Sequence, residues 1–294
     1  MKKDFLQIIV EDKKQEIAAA KHRLPERLLR EKVKILQKRR SFLQKLAKPG
    51  RYGVNIIAEI KRASPSKGLI CPDLNPVTYA VDYERGGAAA LSVLTDRPHF
   101  KGSIQDLKNA RESTTLPVLR KDFLISSYQI FESAVMGADA ILLIVRILDP
   151  KQLKDYLNLC NDLQMDALVE IHSEKDIEKA TRAGAELIGI NNRNLRSFET
   201  DIHTSIRMKS LLEPDQVAVA ASGIRSRKDI EKLKDSGIWN FLIGESLVRA
   251  DNPSVFLKSL LGNNPPENTQ KTEKETLMLQ KSEELSVKAS RVKP

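Results

Sequence analysis

GADAILLIVRILDPKQLKDYLNLCNDLQMDALVEIH, residues 137–172, decides the fold. It opens with an apolar, β-rich run at 138–145. An amphipathic helical pattern follows over 149–164, and a second apolar run closes it at 166–172. Strand, helix and strand in that order form one βαβ unit, the connection that parallel strands require. From Ala167 the second run stays apolar until Glu170 and His172. After its first residue, polar side chains are thus held back to the end of the strand.

The same rhythm extends in both directions. Further strand-like runs lie at 55–61, 89–96, 117–123, 187–193, 217–222 and 241–246. Helical patterns occupy 76–86, 103–113, 126–136, 173–183, 201–213, 226–236 and 253–261. Ser173 and Ser226 each stand before a helical run with an acid three residues on, the pattern of an N-cap. Gly137, Gly184 and Gly237 follow helical runs as C-terminal caps do. Eight such units can make an open doubly wound sheet or a closed barrel. No G-x-G-x-x-G follows the first strand, so the usual dinucleotide turn is missing. Polar residues recur instead at the C-terminal ends of nearly all the strands, the rim where (β/α)8 barrels do their chemistry. The reading is α/β, a (β/α)8 TIM barrel over 51–262. A helical extension, 1–50, is expected to cover one barrel mouth, and 263–294 is expected to be a disordered polar tail.

Composition narrows the function. Hydrophobic residues make up 41% and charged residues 30%, which excludes wholesale disorder and a polytopic membrane protein. Two cysteines and four histidines lack disulfide or metal-ligand spacing. The start turns acidic after a short apolar run, so no signal peptide is read and a cytoplasmic location is expected. The net charge of +10 comes almost wholly from residues 1–50, whose surplus is 9, while 51–262 is neutral. The basic segment has helical apolar spacing and neither a recognition motif nor interleaved aromatics. A solvated helix face explains it better than nucleic-acid contact.

The strand ends carry the chemistry. Glu59 and Lys61 are two apart, so in a strand they point the same way. Lys121 ends the third strand and Glu170 the fifth. Burial among apolar neighbours is expected to raise the Glu170 pKa, suiting a general acid or base. The sixth strand ends in Asn191, Asn192 and Arg193. Ser222 and Gly223 end the seventh; Gly244, Glu245 and Ser246 end the eighth. Loops after strands 7 and 8 are the usual phosphate cradle of such barrels. With Phe100, Phe123 and Leu142 nearby, the pattern suggests a phosphorylated sugar-like chain attached to a flat apolar group.

Nine segments, in order, carry a family resemblance: IAEIKRASPSKG, LSVLTD, HFKGS, VLRKDF, GADAILLIVRIL, LVEIH, IGINNRNL, ASGI and FLIGESL. Over about residues 3–261 the chain resembles indole-3-glycerol-phosphate synthase of tryptophan biosynthesis. The resemblance implies ring closure of 1-(2-carboxyphenylamino)-1-deoxyribulose 5-phosphate to indole-3-glycerol phosphate, with loss of CO2 and water and no cofactor or metal. Lys121 then resembles the general acid and Glu170 the essential carboxylate. Lys61 resembles the partner of the substrate carboxylate, with Glu59 beside it, and Asn191 and Arg193 resemble the orienting polar pair. Ser64, Ser222, Gly223, Gly244 and Glu245 fall at substrate and phosphate contacts, and Phe100, Phe123 and Leu142 match the wall around the anthranilate ring. The family usually carries Glu where this chain has Ala221, which implies an active enzyme of lower efficiency. Phosphoribosylanthranilate isomerase, a rival barrel, relies on a Cys and Asp pair at strand ends, whereas Cys71 lies well beyond strand 1. The implied partner is the small phosphorylated substrate, with no nucleic acid and no membrane, for a monomer or weak homodimer.

Overall fold

Eight strands close into one all-parallel barrel. They are β1 (Asn55–Ile60), β2 (Ala90–Leu94), β3 (Val118–Lys121), β4 (Ala140–Ile144), β5 (Asp166–Ile171), β6 (Leu187–Asn191), β7 (Val217–Ala221) and β8 (Asn240–Ile243). Each pairs with its neighbours in sequence, and β1 pairs with β8 through Asn55 with Asn240 and Ile57 with Leu242. The computed structural model describes residues 5–34, 39–195 and 197–263. Beyond its first residue, the tail expected over 263–294 lies outside them.

Side-chain alternation builds two cores. Ile57, Leu119, Leu142, Leu168, Val219 and Leu242 point inward and fill the barrel. Ile56, Leu91, Val118, Leu143, Val169 and Phe241 point outward and pack with the helices. Those helices are α4 (Pro76–Gly86), α6 (Ile104–Glu112), α7 (Ser127–Met136), α8 (Pro150–Asp162), α9 (Glu174–Ala183), α10 (His203–Lys209), α11 (Arg227–Lys234) and α13 (Pro253–Leu261). Between β2 and α6 lies α5 (Arg97–Phe100), and after β8 lies α12 (Glu245–Val248); neither was expected from sequence.

Two local readings need correction. The eighth strand stops at Ile243, not at residue 246, because Gly244 (φ −127°, ψ −70°) turns the chain into α12. Glu245 and Ser246 therefore sit in a helical first turn. Ser226 does close a capping box with Asp229, but the Ser173 side chain caps nothing. The Asp176 carboxylate at that helix start accepts from the His172 backbone N–H instead, at 2.9 Å.

The segment before the barrel touches both of its ends. α1 (Phe5–Arg23) reaches the C-terminal mouth, where Phe5 and Leu6 line a cavity. α2 (Glu26–Val33) runs down the side, packing Leu29 against Tyr128 and Phe131 of α7. α3 (Phe42–Leu46) closes the N-terminal mouth, with Phe42 and Leu46 fully buried among the inward-facing barrel residues. Arg39 and Arg40, two of the surplus cations, donate to the carbonyls of Leu163, Ala138 and Leu116 beside the strand starts. The Leu46 carbonyl accepts from Trp239 Nε1 at 3.0 Å and Asn240 Nδ2 at 3.1 Å.

This packing makes Phe42 a test of the lower plug. Phe42→Ala is expected to lower unfolding free energy by about 3–5 kcal/mol. Urea titration followed by circular dichroism measures it. A loss under about 1 kcal/mol would show that α3 is not held in the barrel.

Candidate active site

A cavity of about 430 Å³ opens at the C-terminal end of the barrel. Every site residue implied by the resemblance lines it: Glu59, Lys61, Ser64, Phe100, Lys121, Phe123, Leu142, Glu170, Asn191, Arg193, Ser222, Gly223, Gly244 and Glu245. They come from all eight strands or the loops that follow them. Alternation explains the convergence, because the last inward residue of each strand points toward the same axis.

Two ammonium groups and two carboxylates meet on the cavity floor. Lys61 Nζ pairs with Glu59 Oε1 at 2.6 Å. Lys121 Nζ lies 3.6 Å from Glu170 Oε2. Asn191 Nδ2 donates to Glu170 Oε1 at 3.2 Å, and Asn191 Oδ1 accepts from the Arg193 backbone N–H at 3.0 Å. Burial alone would raise both carboxyl pKa values. Lys61 and then Lys121 outweigh it at Glu59, and Lys121 does so at Glu170, so both are held below the usual carboxylate range. The raised Glu170 pKa expected from its apolar strand is thus reversed. Sequence showed the desolvating neighbours but not the cation across the barrel.

One side of the cavity is apolar. The Phe100 and Phe123 rings stand 6.1 Å apart at 40°, with Leu142 buried beneath the mouth. The other side is backbone-rich. Ser222 and Gly223 have successive positive φ values of 70° and 79°, a conformation that a serine adopts only under constraint. Asn192, the middle residue of the sixth-strand triplet, is buried and donates to the Ser222 carbonyl at 3.1 Å. It holds that turn. A Cβ on Gly244 would collide with the Glu59 carboxylate, so glycine is required where β8 passes β1. Ser64 Oγ is buried on the rim with no hydrogen-bond partner, available to a ligand.

Several lining residues escaped the sequence reading. Lys67 follows Ser64 in a short hairpin, and Arg225 lies three residues after Ser222. Arg249 pairs with Glu245 at 3.3 Å, offsetting a carboxylate at an edge read as anion-binding. Arg225 could have been found, since it directly follows the ASGI segment. Phe5 and Leu6 could not, because a helical pattern does not reveal where its helix docks. His172 Nε2 lies 3.3 Å from Glu170 Oε1, and burial lowers its pKa, so the imidazole is neutral near pH 7. Among the described residues no three His, Cys, Asp or Glu groups converge as metal ligands, and no helix is long and apolar enough to cross a membrane.

Behind the cavity floor lies a second buried charge cluster. Asp122, next to Lys121, accepts from Thr95 Oγ1 at 2.6 Å, Arg120 Nη2 at 3.1 Å and the Phe123 backbone N–H at 2.8 Å. Lys13 of α1 lies 3.0 Å away. Burial would raise the Asp122 pKa, but Arg120 and Lys13 bring it down to about 2.

The family model for indole-3-glycerol phosphate synthase matches residues 6–260. An indole-3-glycerol phosphate synthase of Desulfosudis oleivorans is 56% identical over 259 residues, covering 88% of this chain and 98% of that one. One of Syntrophobacter fumaroxidans is 53% identical over 259 residues, with the same coverage. Among solved structures, thiamine phosphate pyrophosphorylase from Pyrococcus furiosus aligns with a TM-score of 0.55 at 13% identity, over 75% of this chain and 96% of its own. That likeness concerns the fold alone.

Asp122 gives the site a signature in acid. Its folded pKa lies below the ordinary value of 3.8, so its stabilisation is complete above that value and is lost as pH falls toward about 2. The stability gap between wild type and Asp122→Asn is therefore expected to shrink by about 2 kcal/mol from pH 5 to pH 2. Urea midpoints across that range test it; a gap independent of pH would remove the carboxylate's charge from the account.

Proposed function

The chain belongs to the indole-3-glycerol phosphate synthase family, carboxy-lyases of tryptophan biosynthesis, and from that premise we propose that it closes the indole ring with Lys121 as general acid and Glu170 as general base. The substrate is 1-(2-carboxyphenylamino)-1-deoxyribulose 5-phosphate. The observation that carries this reading is the approach of Lys121 to Glu170, on a floor walled by Phe100 and Phe123 on one side and by the Ser222 and Gly244 turns on the other.

The chemistry asks for these groups. The ring carbon bearing the carboxylate is a weak nucleophile, so the ketone oxygen must gain a proton as the carbon–carbon bond forms. Lys121 supplies it. Closure breaks the aromaticity of the ring. Release of CO2 returns the bonding pair and restores it. The new hydroxyl then leaves as water, taking a proton from Lys61, while Glu170 takes the proton from the amine side. A carboxyl held below its usual range is ionised near neutrality, which supports the accepting role for Glu170. Lys61 also pairs with the substrate carboxylate, with Glu59 holding its ammonium. Asn191 and Arg193 orient Glu170 and the substrate. The aromatic wall holds ring and ketone in a reactive geometry, worth several kcal/mol by orientation. Phosphate rests against Ser64 and the backbone N–H groups after Ser222 and Gly244. The phosphorylated substrate is the partner this reading requires. Nucleic acid and membrane have no place in it, and nothing in it needs more than a monomer or weak homodimer.

An indole-fluorescence assay with this substrate tests the activity directly; absence of indole formation by the full chain overturns it. Lys121→Ala is expected to lose about 10²–10⁴-fold in kcat, with an unchanged circular dichroism spectrum. Wild-type-like turnover in that variant would take Lys121 out of the mechanism.

Ala221 pairs in register with Asn191 and lines the cavity. Ala221→Glu restores the residue usual in the family and is expected to raise kcat/KM in steady-state assays. A large loss would show instead that this site has been rebuilt around alanine.

A further inference from the structure

Lys13 stands out on α1. The buried residues of that helix are Leu6, Ile9 and Lys13, so a lysine occupies the core-facing stripe. Its side chain is only 3% exposed. Its ammonium lies 2.9 Å from Asp96 Oδ2, 3.0 Å from Asp122 Oδ1 and 2.7 Å from Glu16 Oε2. Asp96 and Asp122 are themselves buried. Among the described residues Asp96 Oδ2 has no polar partner besides this ammonium, which is its compensating charge.

Each of those two carboxylates sets one aromatic ring of the cavity wall. Asp96 is the N-cap of α5, and its Oδ1 accepts from the backbone N–H of His99 at 2.8 Å and of Phe100 at 3.2 Å. Asp122 Oδ1 accepts from the backbone N–H of Phe123 at 2.8 Å. Thr95 links the two, its hydroxyl donating to Asp122 Oδ2 and its backbone N–H donating to the Lys121 carbonyl at 3.1 Å. Phe100 and Phe123 therefore hang from two carboxylates just past the ends of the neighbouring strands β2 and β3, and these share one cation. Without that ammonium Asp122 would keep Arg120 but Asp96 would be left uncompensated beside it, and the two carboxylates would move apart, the rings with them.

We infer that Lys13 is a positioning residue for the aromatic wall: from outside the barrel it clamps Asp96 to Asp122 and so fixes Phe100 against Phe123 for the arylamine end of the substrate. This rests on the functional reading above. It gives the N-terminal helix a part in ligand recognition in addition to covering the mouth. Lys13 touches neither the proposed ring site nor the proposed phosphate site, so its effect is transmitted through the wall.

The experiment compares wild type with Lys13→Met in the full chain, using anthranilate and inorganic phosphate as separate probes in calorimetric titration. The substitution is expected to weaken anthranilate binding about tenfold, within the strength of an aromatic contact pair, while phosphate binding stays within about twofold. If Lys13→Met does not fold, Lys13→Gln, which keeps a hydrogen-bond donor but not the charge, replaces it, and the same selective loss is expected. Unchanged binding of both probes overturns the inference. Equal weakening of both also overturns it, since that is general loosening of the barrel. Wild-type indole formation, measured alongside, separates the two levels. If it is absent, the functional reading fails and this inference with it; if it is present while anthranilate binding ignores Lys13, only the role of Lys13 fails.

Discussion

A closed parallel barrel leaves its strand-end side chains no choice of direction. Inward and outward positions alternate, and closure turns the last inward residue of each strand toward a single axis. Everything at the candidate site depends on that constraint. Lys121 and Glu170 are 49 residues apart in the chain, yet β3 and β5 bring them to 3.6 Å. Had the same eight units formed an open sheet, the two groups would lie along an edge with no common floor.

The constraint also explains how much could be read from sequence. All eight strands and the helices from α4 on, apart from the four-residue α5 and α12, were legible because their apolar periods are unambiguous. The triplet at 191–193 shows where legibility ends. Asn191 and Arg193 face the cavity, whereas Asn192 turns away to hold Ser222 and accepts from Ser205 at 2.7 Å. Alternation predicts the split, but only once the strand's register is known. Glu170 shows a second limit. Its neighbours in sequence report burial, while its strongest partner is on another strand, so the sign of the pKa shift was misjudged.

Charges in the N-terminal segment give a third lesson. Its positive surplus looked like a solvated face, and part of it is: Arg27 pairs with Glu31 and Arg30 with Glu26 on the surface of α2. Arg39 and Arg40 instead satisfy backbone carbonyls, and Lys13 is buried in a carboxylate cluster. Composition counts charge but does not locate it. The trace Lys13 leaves in sequence is its position, four residues from Ile9 and four from Ile17 on an otherwise apolar stripe.

The lower plug bears on how the chain is born. Phe42 and Leu46 leave the ribosome long before the strands that enclose them, and the Leu46 carbonyl is met by Trp239 and Asn240, which emerge almost two hundred residues later. Until then the segment has no finished socket. Sealing the sheet between β1 and β8 and seating α3 therefore both wait for the last strand, a contact of long sequence separation. A nascent chain paused before Trp239 would display both the unpaired sheet edge and the unseated plug, the two surfaces a chaperone would recognise first.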